Sequence, residues 1–173
     1  MMPSDEFIDE VRKLSEGSEA ASTQTQFKRI LVAVDGSDNA VRAAKVAVTL
    51  TEKFSAELIV CHTIQTPFRS FAQNGIAVPT NLLNEYMTAA KEDAENTVDR
   101  VMRLAKIDRV KAVRVIQENV FSIVEAIVNL AEDRHVDLIV VGTRGQSGFK
   151  KLLIGSVSSG VLSHAPCPVL VVR

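Results

Sequence analysis

Aromatic residues and cysteines are scarce in this chain of 173 residues. It contains no tryptophan, one tyrosine and two cysteines, and aromatic residues make up 5% of the total. So few rings offer little to stack on a flavin, which argues against a flavodoxin-like electron carrier. The two cysteines, Cys61 and Cys167, are too few to form a four-ligand zinc site on their own. We interpret both as unpaired thiols in a reducing compartment.

The sequence also lacks a surplus of either charge and a long hydrophobic run. Its 20 basic and 21 acidic residues give a formal net charge of −1, which does not favour a nucleic-acid partner. No apolar run reaches the roughly 18 residues of a membrane-spanning helix. The first residues, Met-Met-Pro-Ser, do not begin the apolar core of a signal peptide. We therefore expect a cytoplasmic protein with no membrane and no nucleic-acid partner.

The composition of residues 1–27 differs from that of residues 28–173. Ser4 is placed to cap a short helix with apolar residues on one face, and residues 15–26 are small and polar, as in linkers. We interpret residues 1–27 as an N-terminal extension or linker, with a docking helix as the alternative. Residues 28–173 form one predicted domain, since 46% of the chain is hydrophobic and this length suffices for a core.

Five short apolar segments alternate with helical patterns along this domain. Runs of β-branched residues predict strands, and apolar residues spaced three or four apart predict helices. The predicted strands are residues 29–34, 56–64, 110–116, 137–141 and 168–172. Four helices are predicted. One follows a cap at Ser37 or Asp38, one follows a cap at Asn119, and the other two span residues 80–106 and 157–164. This order predicts an α/β fold: an open, doubly wound five-stranded parallel sheet of order 3-2-1-4-5, Rossmann-like, with helices on both faces.

The segment after the fourth strand carries the most distinctive pattern. Two residues separate Gly142 from Gly145, and nine residues then lead to the pair Gly155-Ser156. No Gly-Lys-Ser/Thr follows, so this is not a Walker loop, and the third glycine is too distant for the usual dinucleotide fingerprint. Glycines let a ligand approach the main chain, and a helix capped by Ser156 presents free amides to an anion. The pattern predicts a phosphate site.

The predicted strand order places this loop beside the end of the first strand. In such sheets, ligands bind where the strand order reverses, outside the carboxyl ends of the strands. Asp35 ends the first strand and Gly142 ends the fourth, so both face one crevice. We expect the Asp35 carboxylate to contact a ribose hydroxyl or an adenine amino group, with helix capping as its alternative role. Thr63, near the end of the second strand, is expected to border the base.

The phosphates are expected to lie on the main chain of the glycine loop. The amides of Gly145, Gly155 and Ser156 are the predicted donors, and the hydroxyls of Ser156 and Ser158 are expected to add to them. Arg144 is placed to reach a phosphate with its guanidinium. The alternative is that the glycines only form turns and bind no ligand. This is the better interpretation of any single glycine, but the complete glycine spacing favours the phosphate site.

These segments resemble the universal stress protein family. The similarity covers roughly residues 28–173 and rests on residues 30–37, 60–63, 136–142 and 167–172 together with the glycine pattern G-x2-G-x9-G-S. No position breaks the family pattern, although the N-terminal extension departs from typical members. The resemblance to ATP-binding members implies contacts with ATP, with or without Mg²⁺, by Ala33, Val34, Asp35, Thr63, Val141, Gly142, Thr143, Arg144, Gly145, Gly155, Ser156, Val157 and Ser158.

The resemblance also implies a function, a nucleotide-dependent regulator or sensor in the stress response. The apolar final strand, Val169 to Val172, would leave an open sheet edge, which predicts pairing between two copies, and the resemblance implies the same homodimer. An unknown protein partner would sense the bound state. Because no general base with an oriented partner is evident near the loop, we do not expect an enzyme. The alternatives are a slow Mg²⁺-dependent ATPase or a nucleotidyl- or phosphoryl-transfer enzyme, and an interaction module that binds AMP, cyclic AMP or no ligand.

Four further residues receive structural interpretations. His62, inside the second strand, is interpreted as a hydrogen-bonded core histidine. Asp93 is assigned to an ordinary charged face of the long helix, together with its acidic neighbours. Tyr86 and Ala90 are taken as apolar positions of the same helix.

Overall fold

Strands and helices alternate along the described part of the chain. The computed structural model describes residues 27–66, 79–143, 145 and 154–173. The strands are β1 (Arg29–Ala33), β2 (Glu57–Gln65), β3 (Lys111–Val120), β4 (Leu138–Gly142) and β5 (Val169–Val172). The helices are α1 (Asp38–Phe54), α2 (Thr80–Ile107), α3 (Ile123–Asp133) and α4 (Ser156–His164). Almost all of the predicted extension, residues 1–26, and the predicted phosphate ligand Arg144 lie outside the described residues.

The five strands form one parallel sheet of order β3-β2-β1-β4-β5, which confirms the predicted fold class. Each of the four pairings is parallel. The order reverses at β1, which pairs with β2 on one side and β4 on the other. The carboxyl ends of β1 and β4 therefore diverge into connections on opposite faces and leave a crevice between them.

The sheet separates two layers of apolar side chains. On one face, β1, β2 and β4 pack against α1 and α2, and the other face packs against α3 and α4. The inner strands are covered on both faces, which explains their nearly continuous apolar sequences. In α1 the buried positions are mostly alanines, so this helix lies close to the sheet. Within the described residues, no helix combines the length and apolar character needed to cross a membrane.

Serine side chains cap the N-termini of two of the helices. The Ser37 hydroxyl accepts a hydrogen bond from the amide of Ala40 at 3.2 Å and caps α1, as predicted. The Ser122 hydroxyl accepts one from the amide of Glu125 at 3.2 Å and caps α3. The predicted cap of α3, Asn119, is therefore wrong.

Asn119 instead belongs to a bulge in β3. Between the pairs Thr63↔Gln117 and Gln65↔Val120 the register shifts, so β3 has one more residue than β2. Asn119 has a φ of 57°, the left-handed conformation that asparagine adopts more readily than most residues. The bulge lets β3 continue to Val120, four residues beyond the predicted end.

Candidate functional site: a cleft between the ends of β1 and β4

A cleft of about 490 Å³ opens at the carboxyl ends of the inner strands. This volume lies within the range of roughly 300–1,000 Å³ that is typical of small-molecule sites. The structure brings most of the predicted site residues together on its walls. They are Ala33, Val34, Asp35, Thr63, Val141, Gly142, Gly145, Gly155, Ser156, Val157 and Ser158.

Asp35 stands where β1 turns into α1 and has a structural role there. Its Oδ1 accepts hydrogen bonds from the amide and the hydroxyl of Ser37, at 3.0 and 2.7 Å. Ser37 in turn caps α1, so Asp35 orients the cap instead of capping the helix itself. The carboxylate also lies on the wall of the cleft, where it can contact a ligand.

Two glycines, one at the end of β4 and one in the loop, have close neighbours where a side chain would lie. A side-chain carbon on Gly142 would lie 2.9 Å from the carbonyl carbon of Asn39, in the first turn of α1. A side-chain carbon on Gly145 would overlap the Oδ2 atom of Asp35. The first glycine lets β4 end directly against α1. The second brings the main chain of the loop onto the Asp35 carboxylate, which joins the two halves of the cleft.

The helix α4 begins at the cleft without a side-chain cap. Its N-cap is Gly155, so the prediction that Ser156 caps the helix is wrong, and Ser156 is the first helical residue. In the described residues nothing accepts a hydrogen bond from the amides of Ser156, Val157 or Ser158. Three backbone donors at the positive end of a helix dipole therefore line the cleft, an arrangement that suits an anion.

Three other predicted phosphate contacts are corrected by the hydrogen bonds. The Gly155 amide donates to the carbonyl of Thr143 at 2.6 Å, so it is not available to a ligand. The Ser158 hydroxyl donates to the carbonyl of Gly142 at 2.7 Å, and the residue is only 4% exposed. Thr143 is buried and absent from the cleft walls, and its amide donates to the carbonyl of Val172 at 2.7 Å. These groups hold β4, β5 and α4 together.

The helix α2 supplies a wall that the sequence did not predict. Tyr86, Ala90 and Asp93 lie on one stripe of this helix, four and then three residues apart, and all three line the cleft. Ile123 and Ile127 of α3 add an apolar wall. The spacing in α2 was visible in the sequence, but it also matches an ordinary core stripe. Only the structure, in which α2 packs over the end of β2, distinguishes a stripe that faces the cleft from one that faces the core.

The described ionisable groups of the cleft are two carboxylates, one histidine and the phenol of Tyr86. Burial lowers the pKa of His62, and the nearby carboxylates of Asp93 and Asp35, with the backbone of Val34, offset this only in part. The imidazole is therefore neutral near pH 7. Its Nδ1 is buried and lacks a hydrogen-bond partner in the described part of the chain. The interpretation of His62 as a hydrogen-bonded core histidine is thus wrong for Nδ1, and the residue lines the cleft.

The strand order and the cleft define a doubly wound α/β protein that presents a ligand site at the reversal of its sheet. A model of the universal stress protein family matches residues 26–173. The chain therefore belongs to the universal stress protein family. The universal stress protein MJ0531 of Methanocaldococcus jannaschii is 34% identical over 148 residues, which cover 85% of this chain and 82% of that protein.

Solved structures have the same fold. The universal stress protein UspA from Lactobacillus plantarum aligns with a TM-score of 0.74 and 25% identity, over 86% of this chain and 99% of that one. The universal stress protein from Archaeoglobus fulgidus in complex with dAMP aligns with a TM-score of 0.63, over 86% of this chain and 99% of that one. At 19% identity, the second likeness concerns the fold alone.

Proposed function

We propose that this protein is a cytoplasmic, dimeric regulator of the stress response that binds ATP in the cleft. The observation that carries the proposal is the start of α4. The uncapped amides of Ser156, Val157 and Ser158 open onto a cleft of about 490 Å³ and suit a phosphate group. A protein of the same fold binds dAMP, which is consistent with an adenine nucleotide but does not by itself select one.

The rest of the cleft suits a nucleoside. Ile123, Ile127 and Val141 offer apolar surface to the faces of a purine, while the polar groups of Asp35 and Thr63 lie nearby for its amino group or the ribose hydroxyls. Ligand sites commonly combine mainly apolar walls with a few polar groups that fix orientation. The nucleoside would therefore lie over the ends of β1 and β2, with its phosphates at α4.

The charges of the cleft bear on the choice of nucleotide. Among the described residues that line it there is no lysine or arginine, and Asp35 and Asp93 are both acidic. A triphosphate therefore needs a counter-charge besides the amides of α4. Mg²⁺ commonly arrives bound to substrate phosphates and takes only one or two protein carboxylates. Asp35 is placed for that contact, and the described residues contain no preformed group of three metal-binding side chains.

The proposed dimer uses the edge of the sheet formed by β5. This strand pairs with β4 on one side only, and its four residues are all apolar. Leu170 on β5 and Leu162 on α4 are 36% and 51% exposed. A second copy, related by a two-fold axis, would pair the open edge and cover both leucines.

The nucleotide proposal is tested by calorimetry on protein that has been stripped of bound ligand. We expect ATP to bind more tightly with Mg²⁺ than without it, and more tightly than AMP or cyclic AMP. Gly145→Ala should weaken binding by at least about tenfold, because the added methyl group displaces the Asp35 carboxylate. Ser156→Ala should weaken it by less. Ser159→Ala, an exposed change one turn further along α4, is the matched control and should bind normally.

Two results would contradict the proposal. Absence of ATP binding at millimolar concentration would exclude ATP as the ligand of the cleft. ADP formation that rises with protein concentration and disappears in Asp35→Ala would show that the protein is an ATP-hydrolysing enzyme and not a non-enzymatic regulator.

A further inference from the structure

A second, smaller cavity lies between α1 and α2. Its volume is about 200 Å³, and Gly36 lines it at the turn from β1 to α1. Val34 and Ala40 line both spaces, so the two cavities lie back to back across the turn from β1 to α1. The proposed nucleotide site uses the other side of this turn.

The walls of this cavity are mostly apolar. Val41 and Ala44 contribute from α1, and Val101 and Leu104 contribute from α2. Apolar walls favour the uptake of an apolar group, because water in such a space finds few hydrogen-bond partners. An engineered apolar cavity of about 150 Å³ takes up benzene, so a space of about 200 Å³ is large enough for one ring with a small substituent.

One buried polar group faces this apolar space. Thr97 is only 7% exposed, lines the cavity and makes no hydrogen bond with any residue that the structure describes. The hydroxyl is not among the buried side-chain atoms that lack a partner, a set that in the described residues contains only Nδ1 of His62, so it is accessible from the cavity. Threonines inside helices often donate to the carbonyl four residues earlier, as Thr51 does to Ala47 at 2.7 Å. Thr97 differs, and its hydroxyl is left for a group inside the cavity.

Two cations line the same cavity, one from each helix. Lys45 of α1 and Arg100 of α2 are exposed residues that contribute to its walls. Neither forms an ion pair with another side chain in the described ranges. Two unpaired positive charges beside an apolar space are complementary to a ligand with one anionic end.

From these observations we infer that the cavity between α1 and α2 binds a small monocarboxylate with an apolar body, about the size of benzoate. The apolar body lies against Val41, Ala44, Val101 and Leu104. The carboxylate accepts hydrogen bonds from the Thr97 hydroxyl and from Lys45 or Arg100. This site is separate from the proposed nucleotide function and does not depend on it.

The test is a titration of the full chain with benzoate, followed by calorimetry and by backbone amide shifts. We expect a dissociation constant on the order of 1 mM, as befits so small a ligand. Benzyl alcohol, which is neutral and of similar shape, should bind at least about tenfold more weakly, because it lacks the charge. Saturating ATP should leave benzoate binding unchanged.

Three variants test the assigned groups. The double change Lys45→Gln with Arg100→Gln should weaken benzoate binding by at least about tenfold. Arg103→Gln, an exposed change on α2 outside the cavity, is the control and should have no effect. Thr97→Val should weaken benzoate binding, because it removes a hydrogen-bond donor, and should leave the melting temperature of the free protein nearly unchanged, because the hydroxyl is accessible from the cavity.

Several outcomes would overturn the inference. They are no benzoate binding at tens of millimolar, equal binding of benzyl alcohol, displacement of benzoate by ATP, and equal affinity in the double variant and the Arg103 control. A lower melting temperature for Thr97→Val would mean that the hydroxyl already has a partner. Because ATP binding is measured separately, failure of this site would leave the nucleotide proposal intact.

Discussion

The two edges of the sheet differ in almost every property that governs strand pairing. The β3 edge is ten residues long and carries charged side chains, whereas β5 has four residues and none that ionises. Lys111 and Arg114 of β3 form ion pairs with Glu57 at 2.8 Å and with Asp99 at 3.2 Å. At the same edge, Glu118 pairs with Lys91 at 2.8 Å.

The difference indicates that one edge is protected and the other is available. Charged side chains and bulges at an edge oppose the addition of a further strand, since a partner strand would bury the charges and fail to match the kinked backbone. The bulge at Asn119 adds to this protection. Nothing comparable occurs in β5. A sheet whose edges differ in this way favours closed pairs over open chains of molecules, because only one edge can join another copy.

The largest expected effect is the loss of the dimer in Leu170→Glu. A charge placed in the centre of an apolar strand interface is left unpaired, which should weaken association by at least about 100-fold. The measurement is sedimentation velocity across a range of concentrations. Arg114→Glu puts the same side chain on the opposite edge and should leave the dimer intact. A wild-type monomer, or a dimer that survives in Leu170→Glu, would refute the role of β5.

A smaller effect should follow when the protected edge is opened. Replacing Lys111, Arg114 and Glu118 of β3 by threonine, valine and threonine removes its charges and shifts the formal net charge of the chain from −1 to −2. We expect association beyond the dimer at micromolar concentrations, detected by light scattering. The matched control makes the same replacements at Lys106, Arg103 and Glu95 of α2. If the β3 variant remains dimeric, the bulge alone protects this edge.

The smallest effect concerns pH and the ion pair between Lys111 and Glu57. A hydrogen bond from Lys111 is the main cause that lowers the pKa of the Glu57 carboxyl. A lowered pKa in the folded state adds stability above the ordinary value of the carboxyl, and that stability is lost as pH falls through the lowered value.

Lys111→Met should therefore lower the melting temperature by about 1–2 °C near neutral pH, as expected for an exposed pair. The difference should shrink as pH falls through the lowered pKa of Glu57 and vanish once this carboxyl is protonated in both proteins. Dimer affinity should show no corresponding step, because β5 has no ionisable side chain. If the difference in melting temperature persists at low pH, the effect of Lys111→Met comes from altered packing and not from loss of the ion pair with Glu57.

The sequence was sufficient to predict the sheet and the floor of the cleft. Strands covered on both faces are apolar throughout, so β1, β2 and β4 were clear, and the order of the sheet brings their ends together. The roles of Ser158 and Asn119 were not predictable in the same way. Hydroxyl and amide side chains choose between local backbone partners and a ligand, and that choice depends on geometry that the spacing does not contain. The wall from α2 was missed because a stripe facing a cleft has the same period as one facing a core.

The hydrogen bond between Thr143 and Gly155 has a consequence for changes in the length of the segment that it spans. It ties together the two ends of an eleven-residue segment, residues 144–154, directly across its base. For a tethered segment, doubling the length costs only about 0.6 kcal/mol in closure entropy. Because this bond joins the end of β4 directly to the start of α4, a change in the number of residues between Gly145 and Ile154 should leave those two elements in place.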